Sequence, residues 1–219
     1  PSPPAQTRSA AEDARRLKRL LVRRPELRSY LVANALWELS LGALKTFVVL
    51  YLTVGLGLSL VQSTLVVGGV AVFVLVVAAV SGPLADRYGR IRVMQWASLL
   101  YGGGLLVPFL VTWQPAIAVA VPLIAIGAGV VMSLPYALLI PMMADDERGA
   151  LTGFYSFSRG IGTAAGPLLA GAAISLTSGT FGATHGYQAT WGVCCVAVLL
   201  SVVALRRLRH TAAATTARG

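Results

Sequence analysis

The chain has 219 residues, 56% of them hydrophobic and only 12% charged, with a mean hydropathy of +0.74. A soluble globular domain carries about a quarter charged residues, so that class is excluded. Eighteen Lys and Arg against eight Asp and Glu leave a net charge of +10, but the bases cluster at the ends of apolar runs rather than over one face, which argues against nucleic acid as a partner.

Residues 1–28 precede the first apolar run. Pro1 to Asp13 is rich in Pro, Ala and Ser and is expected to be disordered. From Ala14 to Arg28, seven bases alternate with Leu17, Leu20, Leu21 and Val22, which predicts a basic amphipathic helix on the membrane surface, ended by Pro25. Anionic headgroups attract such a segment by about 1 kcal/mol per basic residue. The chain starts at Pro1 with no targeting signal, so it is expected to be a segment of a longer protein.

Six membrane spans follow, since a bilayer core of about 30 Å needs about 20 helical residues. They are predicted at Ser29–Val54, Leu58–Ser81, Val93–Trp113, Ala116–Ile140, Ala150–Leu176 and Gln188–Leu205. The membrane domain is therefore 29–207, with residues 208–219 as a tail. Cys194 and Cys195, adjacent in the last span with no third cysteine, read as small packing residues rather than metal ligands. No metal or cofactor is expected.

Between the second and third runs stands Gly82-Pro83-Leu84-Ala85-Asp86-Arg87-Tyr88-Gly89-Arg90-Ile91-Arg92, predicted to be a charged, glycine-bracketed turn facing water. Gly82 and Gly89 would let the backbone turn and helices approach. Arg87 and Arg90 could pair with Asp86 or with Glu147 in the loop before the fifth span. Arg87, Arg90, Arg92, Arg148 and Arg206 all fall on one side, while the three intervening connections carry no fixed charge. The positive-inside rule makes that side cytoplasmic, with both termini inside.

Charges inside spans are costly and mark functional candidates. There are three: Glu38, Lys45 and Arg159. Glu38 lies about 13 Å past Ser29 at 1.5 Å per residue. Asn34, Glu38, Gly42 and Lys45 follow at spacings of four, four and three, so they share a helix face, and that polar stripe predicts a watered cavity. Glu38 and Lys45 stand about 10.5 Å apart along the axis, too far for a direct ion pair unless Lys45 reaches back; Lys45 could also snorkel outward. Arg159 shares a face with Thr152, Tyr155, Ser156 and Thr163, and could pair with Glu38, bind an anionic substrate group or hold an inner gate. Tyr136, Ser133 and Trp37 are weaker cavity candidates. Gly153, Gly162 and Gly166 have small-xxx-small spacing for close packing, and Pro167 would kink its helix.

The run from Gly82 to Arg90 resembles the G-x-L-A-D-R-x-G-R turn of the major facilitator superfamily, which joins the second and third helices of each six-helix half. Gly160 to Gly171 resembles the family's G-x-x-x-G-P-x-x-x-G pattern for a fifth or eleventh helix, and Pro135-Tyr136 before Asp145-Asp146-Glu147-Arg148-Gly149 resembles the next cytoplasmic connection. The resemblance implies an all-α membrane fold of six helices, arranged as two inverted three-helix repeats that form half of a twelve-helix transporter. The basic stretch ahead of the first span and the absence of an arginine in the fourth make the C-terminal half the closer likeness. It further implies that the first and fourth helices line the transport pathway and that the Asp86 cluster is a conformational latch.

The function expected is secondary active transport of a small solute by alternating access, proton-coupled, in the bacterial plasma (inner) membrane. A carboxylate in a span can titrate near neutral pH when desolvation favours its neutral form, and Glu38 is the residue expected to couple protons. The partners expected are a small-molecule substrate, protons, bilayer lipid and the other six-helix half. The alternatives are an orphan six-helix interaction or regulatory module and a six-span membrane enzyme; no His, Asp or Glu pair in the spans has acid–base or metal-ligand spacing, so the chain is not expected to be an enzyme.

Overall fold

Pro25 opens the first span. At the first helical position a missing N–H costs nothing and the fixed φ suits the helix. In the computed structural model, which describes residues 24–143 and 147–216 (of 209–216 the backbone only), α1 runs Pro25–Leu50 and widens into a π-helical turn at Tyr51–Gly55. The Leu56 N–H bonds the Tyr51 carbonyl at 2.9 Å, the i to i+5 pattern of that turn. The basic helix expected from Ala14 lies outside the described residues up to 23, as do Asp145 and Asp146.

The remaining spans are α2 (Leu60–Tyr88), α3 (Arg90–Leu110), α4 (Gln114–Ser133), α5 (Arg148–Thr177) and α6 (Ala189–Thr216). All six are long and apolar enough to cross a membrane, and no strand occurs among the described residues. α6 continues through Thr216, so part of the segment taken as a tail is helical. α4 breaks at Leu134 and resumes as Pro135–Leu139 and a 3-10 turn, Ile140–Met142. The break is pinned from α1, where the Tyr30 hydroxyl donates to the Pro135 carbonyl at 2.7 Å.

The eleven-residue turn expected between the second and third spans shrinks to one residue. Gly82 to Tyr88 are the last two turns of α2, and Gly89 alone breaks the helix, at φ +90°. A helix of 29 residues is about 43 Å long, well beyond a core of about 30 Å, so its charged end reaches water without the chain turning. Gly82 therefore neither turns the backbone nor meets a neighbour: a side chain there would have nothing within 4 Å.

α1 packs on α5 and α6, α4 on α2 and α3, and α3 on α6. Exchanging α1–α3 for α4–α6 maps this pattern onto itself: the α1–α5 contact becomes α4–α2, α1–α6 becomes α4–α3, and α3–α6 returns to itself. Successive spans alternate in direction, so α1 and α4 run oppositely and the two three-helix repeats are inverted. Aromatic residues fill the centre. Trp37 donates its indole N–H to Ser98 at 3.1 Å, Ser40 bonds the Tyr101 hydroxyl at 3.1 Å, and all four are buried. The buried thiols of Cys194 and Cys195 face the carbonyls of Ser40 and Gly102 at 3.4 and 3.3 Å.

Candidate functional site

Asn34, Glu38 and Gly42 face α5 and form a seam with it. The Asn34 amide donates to Ser158 at 2.8 Å. One Glu38 carboxylate oxygen takes an ion pair from Arg159 Nε at 2.8 Å, and the other accepts from the Thr163 hydroxyl at 3.2 Å. The reason for the seam is backbone proximity. Gly162 and Gly166 lie directly against the carbonyls of Ala35 and Leu39, leaving no room for a side chain. Such close approach lets Cα–H groups meet carbonyl oxygens across the two helices. Gly153, by contrast, has nothing within 4 Å and takes no part.

The Glu38–Arg159 pair is asymmetric. The Glu38 side chain is 11% exposed and the Arg159 side chain 54%. The carboxylate is thus fixed by two donors inside the seam, while the guanidinium lies half open at its edge. Beside it, the rings of Tyr155 and Tyr136 meet edge-on at 5.6 Å, linking α5 to the end of α4. Tyr136 stands by this site; Lys45 does not. Lys45 is exposed and borders a separate apolar groove between α1, α2 and α4. Trp37 is buried and bonded to Ser98, and Ser133 is exposed with its hydroxyl 2.7 Å from that of Ser81.

At the charged end of the bundle, Arg90 reaches two partners, donating to the Ala137 carbonyl at 2.9 Å and to Asp86 at 3.2 Å. Arg87 lies over the Tyr88 ring, 5.5 Å from its centre. Glu147 pairs with neither. Its partner is Arg24 at 3.0 Å, which also donates to the Met142 carbonyl at 3.3 Å. The charged end therefore holds two separate clasps, one joining α2, α3 and the α4 extension, the other joining the starts of α1 and α5.

A sequence model described as Major Facilitator Superfamily matches residues 29–218. The chain belongs to the major facilitator superfamily. Among solved structures it is similar to the peptide transporter POT in complex with sulfate, at 21% identity and a TM-score of 0.72, over 84% of this chain and 37% of that one. A mutant of that transporter, also in complex with sulfate, matches at 21% identity and a TM-score of 0.71, with the same coverage. Likeness at this identity is one of fold. The chain spans 37% of the length of these solved transporters. A search of curated proteins finds none that matches.

Within the superfamily fold, the structure brings together Glu38, Arg159, Asn34 and Tyr136, and leaves Lys45 apart. Sequence reading missed Ser158. Its signal was present: Ser158, Gly162 and Gly166 are small residues at spacings of four, one face of α5. Pro167 follows that run inside α5 and has no N–H to give the Thr163 carbonyl. Tyr51 and Trp191, whose rings meet edge-on at 5.1 Å beside the groove, carried no spacing signal at all.

Proposed function

We propose that this chain is the C-terminal six-helix half of a secondary transporter that moves a small solute by alternating access, with protons as the coupling ion. The observation that carries the reading is the ion pair between Glu38 and Arg159, buried on the acid side and open on the basic side. With Glu38 ionised, the carboxylate holds Arg159 and Thr163 and ties the middle of α1 to α5. Protonation removes the charge, so the guanidinium is freed toward an anionic solute group or the opposing half, and the seam loses its central tie. The proton and the conformation are then linked through one contact.

The partner half would cover α2 and α5, the two spans least buried within the chain. Their bare faces are apolar, with Leu65, Val72, Leu75 and Val76 on α2 and Phe157, Ile161 and Leu168 on α5. The two charged clasps would then act at the cytoplasmic face, holding one conformation closed. The clustering of bases at that end supports a cytoplasmic location for both termini, and the plasma membrane of a bacterium is the location proposed.

The test is transport by the full-length protein in proteoliposomes, screened over a solute library with an inward proton gradient. Wild type should accumulate a solute with the gradient, and Glu38→Gln should exchange it without being driven by pH. A Glu38→Gln protein that retains full proton-driven accumulation would refute the coupling role.

A further inference from the structure

Asn34 is 1% exposed, and its side-chain oxygen Oδ1 has no hydrogen-bond partner among the described residues. The orphan is the oxygen and not the nitrogen for a reason found on α5. The Ser158 hydroxyl has one hydrogen and gives it to the Tyr155 carbonyl at 2.9 Å, so toward Asn34 it accepts. The amide therefore turns Nδ2 to Ser158, at 2.8 Å, and Oδ1 away from it. Buried acceptors are nearly always paired, so a bare one inside a packed contact needs an explanation.

Glu38 supplies one. It lies one turn further along the same face of α1, since both residues meet α5. Side chains on a helix lean toward its N-terminus, so Glu38 leans over Asn34, its neighbour at a spacing of four. Ionised, Glu38 has no hydrogen to offer. Its two oxygens accept from Arg159 and Thr163, and the Asn34 oxygen stays bare. Protonated, the same carboxyl is a donor one turn from an unused acceptor.

The other titratable groups around α1 are placed elsewhere. On α5, Tyr155 stands beside the Glu38–Arg159 pair, and Tyr136 meets its ring from the end of α4. On α6 the Cys194 thiol is turned to the Ser40 carbonyl, and on α3 the Tyr101 hydroxyl is bonded to Ser40. α2 carries no charge from Leu60 to Ser81. Along α1 itself, Tyr30 is bonded to the Pro135 carbonyl, and Lys45 is exposed, two turns past Glu38.

We infer that Asn34 is a positioning residue for proton uptake by Glu38: the protonated carboxyl turns its O–H back to the Asn34 side-chain oxygen. This rests on the coupling role proposed above and adds the partner of its second state. A proton from the aqueous side adds to a carboxylate oxygen, the contact with the Arg159 Nε–H opens, and Arg159 keeps all its protons. Each state of Glu38 then has its own partners, Arg159 and Thr163 for the ionised form and Asn34 for the neutral one. A hydrogen bond made only by the neutral form favours that form, so Asn34 raises the pH at which the proton is taken.

The proton itself is the probe. Full-length protein in phosphatidylcholine liposomes is titrated by infrared difference spectroscopy, and the carboxyl band missing from Glu38→Gln is that of Glu38. Asn34→Leu should move its midpoint to lower pH by about one unit, the worth of a hydrogen bond. It should also move the carboxyl C=O band to higher wavenumber, as the O–H loses its acceptor. Asn34→Ser, which keeps an oxygen, should recover part of both shifts. A purely structural role would lower thermal stability and leave midpoint and band in place. An unchanged or raised midpoint in Asn34→Leu, or an unmoved band, would overturn the assignment. If Asn34→Leu does not fold, Asn34→Ala carries the same comparison, and the wild-type band decides by itself: a neutral Glu38 with a free O–H overturns the inference. A Glu38 that takes no proton over the pH range of transport refutes the coupling reading, whereas one that titrates without regard to Asn34 refutes the role of Asn34 alone.

Discussion

Gly42 on α1 stands against the Thr163 carbonyl on α5, and a methyl group added at Gly42 would come within 2.7 Å of that oxygen. The carbonyl is free to be there because the residue four positions on is Pro167, which cannot donate to it. Pro167 therefore acts less as a kink than as the source of an unpaired acceptor, and Gly42 offers its Cα–H in return. Together with Gly162 and Gly166 it makes the α1–α5 seam a contact of backbone on backbone.

Substituting Ala at Gly42, Gly162 or Gly166 should separate α1 from α5 and cost about 1–3 kcal/mol, the usual range for overpacking. Gly153→Ala has open space and helical surroundings, so it should be neutral or stabilising by up to about 1 kcal/mol. Thermal unfolding of the four variants in detergent tests this. Equal melting temperatures for Gly162→Ala and Gly153→Ala would contradict the seam.

Glu38 and Arg159 should show favourable coupling in a double-mutant cycle. Arg159→Gln leaves the Glu38 carboxylate without its cation in the seam, so it should be worse tolerated than the double variant Glu38→Gln with Arg159→Gln. Because Arg159 is half exposed, the coupling belongs at the lower end of the usual range of 0.5–3 kcal/mol, roughly 1 kcal/mol. Additive losses across the cycle would mean that the contact contributes nothing.

Gly89 and Gly82 should behave oppositely although both belong to the same motif. Gly89 holds φ +90°, so Gly89→Ala should cost about 1–3 kcal/mol from backbone strain. Gly82 is helical with nothing near it, and Gly82→Ala should leave thermal stability unchanged or slightly raised. A drop in melting temperature for Gly82→Ala comparable to that for Gly89→Ala would count against the one-residue break.

The clasp between Arg24 and Glu147 can be tested by charge reversal. Arg24→Glu alone places two acids together and should lower transport by the full-length protein, whereas Arg24→Glu with Glu147→Arg should restore most of it. Failure of the second change to rescue the first would mean that the pair is incidental.

The six spans, the charged end and the three in-span charges were readable because hydrophobic run length and charge placement are local properties of the chain. Which neighbour a face meets is not local. Asn34, Glu38, Gly42 and Lys45 do share a direction on α1, yet crossing helices keep contact over only a few turns, so the first three meet α5 and Lys45 borders α2 and α4. The turn was misread for a related reason. Gly82, Pro83 and Gly89 are all helix breakers by propensity, but only Gly89 is used, since a proline is tolerated in a membrane helix when its freed carbonyl finds other partners. The Arg24–Glu147 clasp joins residues more than a hundred positions apart and left no trace in either segment.

α2 touches little of the chain except α4, and yet its most apolar 18-residue stretch has the highest mean hydropathy found in any of the six spans, 2.6. The two facts share a cause in the order of synthesis. α2 leaves the ribosome two spans before α4, its main neighbour within the chain, exists, so for that interval no packing against α4 holds it in place. A helix with no charge from Leu60 to Ser81 can wait there; one with a polar stripe like that of α1 could not.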